Sequence, residues 1–203
     1  MQLIGMLDSP YVRRVAISLR LLGLPFEHRA LSVFGAFEEF SRINPVVKAP
    51  TLVADDGTVL MDSTLILQWA EPLASRSLTP VSAPERLRDL RWTGLALAAC
   101  EKTVQIVYEY QLRPEERRHQ PWLDRVARQL DAAYAALEAD IARPPAVVDE
   151  TRMTHGLIAT AVAWDFTRLM LPGRVDASKH PHIARLSDAA EQLEAFRAFP
   201  SAV

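Results

Sequence analysis

The sequence predicts an α/β unit followed by an all-helical unit. Three observations carry this. Short apolar or alternating runs at residues 2–6, 26–31 and 51–61 fit strands better than helices. Beyond Ser75-Arg76-Ser77-Leu78-Thr79-Pro80-Val81-Ser82-Ala83-Pro84, a linker-like stretch, every long segment has helical spacing. Between the two lies Asn44-Pro45-Val46-Val47-Lys48-Ala49-Pro50-Thr51-Leu52-Val53, where a loop enters an apolar strand at a proline. Proline has no N–H to give a ladder, so Pro50 belongs at a strand's first residue or on an edge. The bond before it is open to the cis form, whose penalty is only ~0.5–1 kcal/mol. Ala49, just outside the strand, then has a backbone N–H and C=O left for a ligand.

The elements follow in order. Residues 2–6 read as a buried strand by length. Asp8-Ser9-Pro10 starts a helix whose inward stripe is Val12, Val15, Ala16, Leu19 and Leu22, with Gly23 ending it. Residues 26–31 alternate as a second strand, and 36–42 form a short irregular helix. Thr51–Ala54 and Val59–Met61 pair as a hairpin across Asp55-Asp56-Gly57-Thr58. Asp62-Ser63 caps a helix running to about Ala74, with Leu65, Ile66, Trp69, Ala70 and Leu73 at helical spacing. The order is β-α-β-β-β-α. Further helices are expected over 84–111, 121–142, 154–171 and 181–198, with Pro144-Pro145 breaking the chain and 154–171 the buried centre. The predicted domains are 1–75 and 84–203.

Composition narrows the function classes. At 49% hydrophobic and 24% charged residues the chain is globular, and a net charge of −2 gives no basic field for nucleic acid or an anionic membrane. One cysteine, Cys100, excludes an intrachain disulfide framework and sits in a helical run, where a buried, inert thiol is the expectation. The histidines show no metal spacing, so no metal is expected. No apolar run reaches membrane-spanning length and no leader pattern precedes Gly5, which makes the cytoplasm the expected location.

Three motifs in order, Ser9-Pro10-Tyr11-Val12-Arg13-Arg14-Val15, Asn44-Pro45-x-x-Lys48-Ala49-Pro50-x-Leu52 and Leu60-x-Asp62-Ser63-x-x-Ile66, resemble the cytosolic glutathione transferase superfamily, and most closely its bacterial serine-type members. The resemblance spans essentially the whole chain. It implies a thioredoxin-like N-terminal domain with a cis proline before the third strand, then a helical-bundle domain. It implies glutathione as co-substrate, a small hydrophobic electrophile as second substrate, and a homodimer. Carried over, Ser9 donates to the glutathione sulfur, Ala49 pairs its main chain with the cysteinyl unit beside Pro50, Asp62 and Ser63 hold the γ-glutamyl head, and Lys48 reaches the glycyl carboxylate. Tyr11, Tyr108 and Trp164 are the candidate lining of an acceptor pocket.

The chemistry fits these roles. A free thiol with a pKa of about 8.5 is mostly protonated at neutral pH. A hydrogen-bond donor and a helix N-terminus beside the sulfur favour the thiolate. Each residue also has a structural reading. Ser9 and Asp62-Ser63 serve equally as helix caps, Lys48 as solvated surface, and the aromatic residues as core. Tyr11 is a rival to Ser9 as sulfur donor. The chain departs from the family pattern at Val47, where many members have glycine, and at Leu157, where a capping-box carboxylate usually follows Thr154. Absence of a cysteine at position 9 or 48 argues against the thiol-transferase branch. The open alternatives are a transferase-like binding or assembly protein, and a glutathione-dependent peroxidase, isomerase or dehalogenase.

Overall fold

A computed structural model describes residues 1–142 and 148–201, so the expected break at Pro144-Pro145 lies outside the described residues. The elements are β1 (Gln2–Ile4), α1 (Pro10–Leu21), β2 (Glu27–Arg29), α2 (Phe37–Ile43), β3 (Thr51–Val53), β4 (Val59–Leu60), α3 (Ser63–Ala70), α4 (Ala83–Gln111), α5 (Gln120–Ile141), α6 (His155–Met170), α7 (Pro181–Ala190) and α8 (Glu194–Arg197). They form two units, one of residues 1–79 with 192–201, the other Pro80–Glu191.

In the first unit the sheet order is β2-β1-β3-β4. β1 runs parallel to β2, while β1–β3 and β3–β4 are antiparallel. The parallel pair is joined through α1 and the antiparallel pair by the tight turn after Ala54, which is the thioredoxin-like topology the resemblance implies. The apolar stripes of α1 and α3 explain their packing. Val12, Val15, Ala16 and Leu19 meet Ile66, Leu67 and Ala70 over Leu3 and Leu52 of the sheet. Each fully buried Val or Leu here contributes about 1.5–3 kcal/mol relative to exposure. α3 stops at Ala70 rather than Ala74. Pro72 lacks the N–H that the next helical bond requires, and Glu71–Leu73 tightens into a 3-10 turn. Glu71 Oε1 then accepts from Ser77 Oγ at 2.6 Å, Leu78 N at 2.9 Å and Thr79 N at 3.0 Å, fixing the end of the unit.

The chain's last segment corrects the expected boundary at 84–203. The stretch 181–198 is two helices, because Leu193 takes an extended conformation between them. Residues 192–201 belong to the first unit. Buried Arg13 of α1 donates from Nε to Phe199 O at 2.8 Å and lies 5.7 Å over the Phe196 ring. Phe199 stacks on Phe26 at 5.6 Å, and Arg20 pairs with Glu194 at 2.7 Å.

The second unit is built round α6, which packs against α4 and α7. A chain of buried hydroxyls crosses it. Tyr134 OH donates to Ala163 O at 2.8 Å and lies 2.6 Å from Thr167 Oγ1, which is 2.8 Å from Thr103 Oγ1. Burial pushes the Tyr134 hydroxyl well above its usual pKa. Cys100 is buried, as expected of it. Trp122, Leu87 and Leu90 are exposed. The carboxylate missing at Leu157 is supplied from α4. Asp89, 5% exposed, accepts from Thr154 Oγ1 and, at 2.9 Å, from Gly156 N.

Candidate functional site

The candidate residues of the first unit converge on one end of its sheet. β1 ends at Ile4, opposite Thr51. Gly5 follows with φ 140°, and a Cβ there would stand 2.6 Å from Val12 Cγ2 and 3.0 Å from Ala49 Cβ. The first turn of α1 and the Ala49–Pro50 corner therefore close over a residue that must be glycine. The Ala49–Pro50 peptide is cis, and β3 begins one residue later.

A buried polar network holds this corner. Asn44, 3% exposed, donates from Nδ2 to Thr51 Oγ1 at 2.8 Å and accepts from Val46 N at 3.0 Å. Thr51 Oγ1 donates in turn to Lys48 O at 2.7 Å. Both ends of the loop are thus tied together across Ala49. Val47, within it, has φ 51°, the left-handed region that disfavours a β-branched side chain. Glycine, which the resemblance implies at this position, would take that conformation without strain.

Ser9 is the N-cap of α1, with Pro10 at the first helical position. Its Oγ accepts from Val12 N at a long 3.4 Å. A hydroxyl that accepts at a cap still has its O–H to donate, so capping and thiolate stabilisation are compatible. Asp62 caps α3, accepting at Oδ1 from Thr64 N at 2.8 Å and Leu65 N at 3.3 Å. Ser63 follows at the first helical position, and its Oγ accepts from Arg14 Nη1 at 3.2 Å. Arg14 of α1 is the residue that sequence reasoning passed over, although it stands in the first motif. Arg14 lies off the stripe of Val12, Val15, Ala16, Leu19 and Leu22, so the local spacing carries no signal of its burial.

The remaining candidates separate. Lys48 is exposed and Tyr11 half-buried in the first turn of α1. Tyr108 belongs to α4 of the second unit and is exposed. Trp164 is 0% exposed and packs edge-on to Tyr134 at 5.3 Å. Its indole has no surface to offer an acceptor, and the core reading of this residue replaces the pocket reading. A cavity of about 500 Å³ within the second unit is lined by Tyr110, Ile106, Val107, Leu123 and Met170 rather than Tyr108 or Trp164. Among the described residues no cluster of His, Cys, Asp or Glu could hold a metal ion, and no helix is long and apolar enough to cross a membrane.

Comparison with known proteins draws on the same features. Residues 3–77 match the family model of the glutathione S-transferase N-terminal domain. A glutathione S-transferase from Methylobacterium radiotolerans, solved in complex with glutathione sulfonate, is 32% identical; the alignment covers 100% of this chain and 95% of that one, with a TM-score of 0.86. A glutathione transferase family member from Pseudomonas fluorescens Pf-5, with bound glutathione, is 28% identical over 100% and 99% of the two chains, TM-score 0.85. The Escherichia coli (strain K12) protein YibF, described as an uncharacterized GST-like protein, is 27% identical over 97% of this chain and 96% of its own. With its cis-proline corner, serine-capped first helix and Asp-Ser helix start in place, this chain belongs to the glutathione S-transferase superfamily.

Proposed function

We propose that the protein binds glutathione at the Ser9, Ala49–Pro50 and Asp62–Ser63 end of its sheet and activates it as thiolate for conjugation to a small hydrophobic electrophile, as a serine-type member of the family. The observation that carries this reading is the convergence of those residues through α1. Ser9 caps it, Val12 and Ala49 both close on Gly5, and Arg14 reaches Ser63. In this reading Ala49 offers its main chain to the cysteinyl unit, and Lys48 takes the glycyl carboxylate. Asp62 takes the γ-glutamyl ammonium, and Ser63 takes its carboxylate. Ser9 donates to the sulfur at the N-terminus of α1, where the helix dipole also favours negative charge. Catalysis is then mostly positioning and electrostatic stabilisation of the thiolate.

The protein works as a homodimer in this reading. Leu65 and Leu73 lie exposed on or just after α3, and Leu87 on α4 is 71% exposed. Their exposure supports the assignment, since a two-fold copy would bury them and two-fold dimers are the commonest soluble oligomers. A cytoplasmic location agrees with a co-substrate that dominates the cytosolic thiol pool. The test is calorimetry with millimolar glutathione, then turnover with a panel of aryl halides, epoxides, peroxides and maleyl compounds. Binding heat and conjugation are expected. Heat without turnover of any electrophile transfers the protein to the binding-protein reading, and no heat at all removes the glutathione site.

A further inference from the structure

The geometry points to His28 as a positioning residue that holds the loop between β1 and α1, and through it the Ser9 hydroxyl, in place. This rests on the glutathione reading above. His28 is the middle residue of β2, beside Leu3 of β1 in parallel register. Its ring is half-buried, and Nε2 lies 2.8 Å from the Gly5 carbonyl oxygen. A carbonyl can only accept, so Nε2 carries the hydrogen and donates it. The N–H of the same glycine donates to Arg29 O at 3.0 Å. Adjacent residues of one strand thus take both polar groups of the Gly5 backbone.

Gly5 is the residue where such an anchor has most effect. It is buried with φ 140°, and Val12 and Ala49 leave no room for a Cβ. A glycine turns about its backbone bonds more freely than any other residue, so the loop pivots there unless its peptide is held. The Gly5 N–H faces back into the sheet. The Gly5 carbonyl belongs to the peptide that joins Gly5 to Met6, the first link of the loop, and the imidazole ties it to β2. From Met6 the chain closes in a tight turn, with Ser9 N donating to Met6 O at 3.2 Å, and Ser9 begins α1. A rotation of the Gly5–Met6 peptide is therefore carried to Ser9 Oγ. Without the His28 donor a buried carbonyl is left unpaired, and turning that peptide toward water relieves it. His28 acts on the glutathione sulfur only through this loop.

The test follows His28→Gln, His28→Phe and His28→Leu by calorimetry with glutathione, by titration of the bound thiol through its thiolate ultraviolet absorbance, and by turnover across pH. Glutamine keeps an N–H donor at a similar reach, phenylalanine keeps a ring without the donor, and leucine has neither. The two variants without a donor are expected to lose roughly three- to tenfold in turnover, the scale of one neutral hydrogen bond. Their bound thiol should titrate at higher pH, with glutathione affinity within about threefold of wild type. His28→Gln should restore both turnover and titration to within about twofold. Added to Ser9→Ala, His28→Phe should cost less than about twofold more, because the histidine works through the serine. A merely structural histidine would lower the urea midpoint and leave the thiol titration unmoved. That result overturns the proposal, as does a glutamine variant no better than phenylalanine, or losses that multiply on Ser9→Ala. Either variant without a donor suffices if the other fails to fold, and failure of both makes the histidine structural and overturns the proposal. The thiol titration needs no electrophile, so it decides the matter even where no turnover is found. A wild type that binds no glutathione removes the glutathione reading and this proposal with it. A wild type that binds it, with variants that titrate unchanged, removes the proposal alone.

Discussion

Two helix starts, one in each unit, set the same chemistry to different ends. α6 begins at Thr154, whose hydroxyl accepts from Leu157 N at 3.4 Å and donates to the buried carboxylate of Asp89, which also takes the Gly156 N–H. Its positive end is met by the protein's own anion. α3 begins at Asp62, an exposed carboxylate, followed by Ser63 with a buried guanidinium behind it. There the Asp62 carboxylate takes two first-turn N–H groups from an exposed position, and a buried guanidinium donates to the first helical hydroxyl. The first arrangement closes on itself and can only stabilise. The second leaves a hydroxyl that gains most when an anion arrives.

Removing each end's key group should break the molecule differently. Asp89→Ala leaves the Thr154 hydroxyl and the Gly156 N–H without their acceptor in a buried setting, and is expected to cost about 3 kcal/mol of stability. Gly156→Ala attacks the same place from the other side. A Cβ there would lie 2.6 Å from Asp89 Oδ1 and 2.7 Å from Asp89 O, and the backbone oxygen cannot swing aside, so ~2 kcal/mol is expected. Both are read from urea unfolding. Glutathione affinity of the folded fraction should be unchanged, and a variant that kept its stability while losing affinity would erase the distinction.

At α3 the balance reverses. Ser63→Ala is expected to alter stability by no more than ~1 kcal/mol, while glutathione affinity falls about ten- to hundredfold, the worth of a hydrogen bond to a charged group. Asp62→Ala combines a similar affinity loss with the ~1 kcal/mol typical of a lost cap. Calorimetry and urea titration of the same preparations measure both quantities.

Ser9 sharpens the contrast, because the cap of α1 would serve both ends at once. Its bond to Val12 N is long at 3.4 Å, so Ser9→Ala is expected to cost at most ~1 kcal/mol of stability. Turnover should fall ~tenfold or more as the thiolate loses a charge-assisted donor. Glutathione affinity should barely move. The sign in pH follows from the proposed role: a donor to the sulfur lowers the thiol pKa, so removing Ser9 is expected to shift the rising limb of the rate profile to higher pH. An unmoved limb in Ser9→Ala beside a moved one in Tyr11→Phe would assign the sulfur contact to Tyr11.

These differences also mark how far the sequence could be read. Caps are local, and Ser9, Asp62 and Thr154 stand where their residue types place them. The succession of strands and helices along the chain and the proline corner follow from short-range patterns of the same kind. Asp89 and Arg14 were illegible because their partners lie 65 and 49 positions away, and nothing in the local pattern of a helix says what a buried charge will meet. Trp164 looked like a pocket residue because helical spacing does not tell a ring's inward direction from its ligand-facing one. The last helix divides at Leu193 without a glycine or proline to announce it. What separates its halves is the burial of Phe196 beside Arg13, a tertiary event.

The smallest expected effect lies within the ligand-facing unit. If that unit accepts instability in order to shape a site, some of it should be recoverable at Val47. With φ at 51° a β-branched residue sits in a region that disfavours L side chains by ~1–2 kcal/mol. Val47→Gly removes that strain, and the added freedom of glycine in the unfolded chain returns ~0.5–1 kcal/mol of it to the debit side. A net stabilisation of about 0.5–1 kcal/mol is expected in urea unfolding. The Asn44–Thr51–Lys48 network fixes the loop ends independently of the Val47 side chain, so glutathione affinity should stay within about threefold of wild type. Destabilisation instead would mean that packing of the half-buried valine outweighs its backbone strain, and that this loop, like the start of α6, serves stability first.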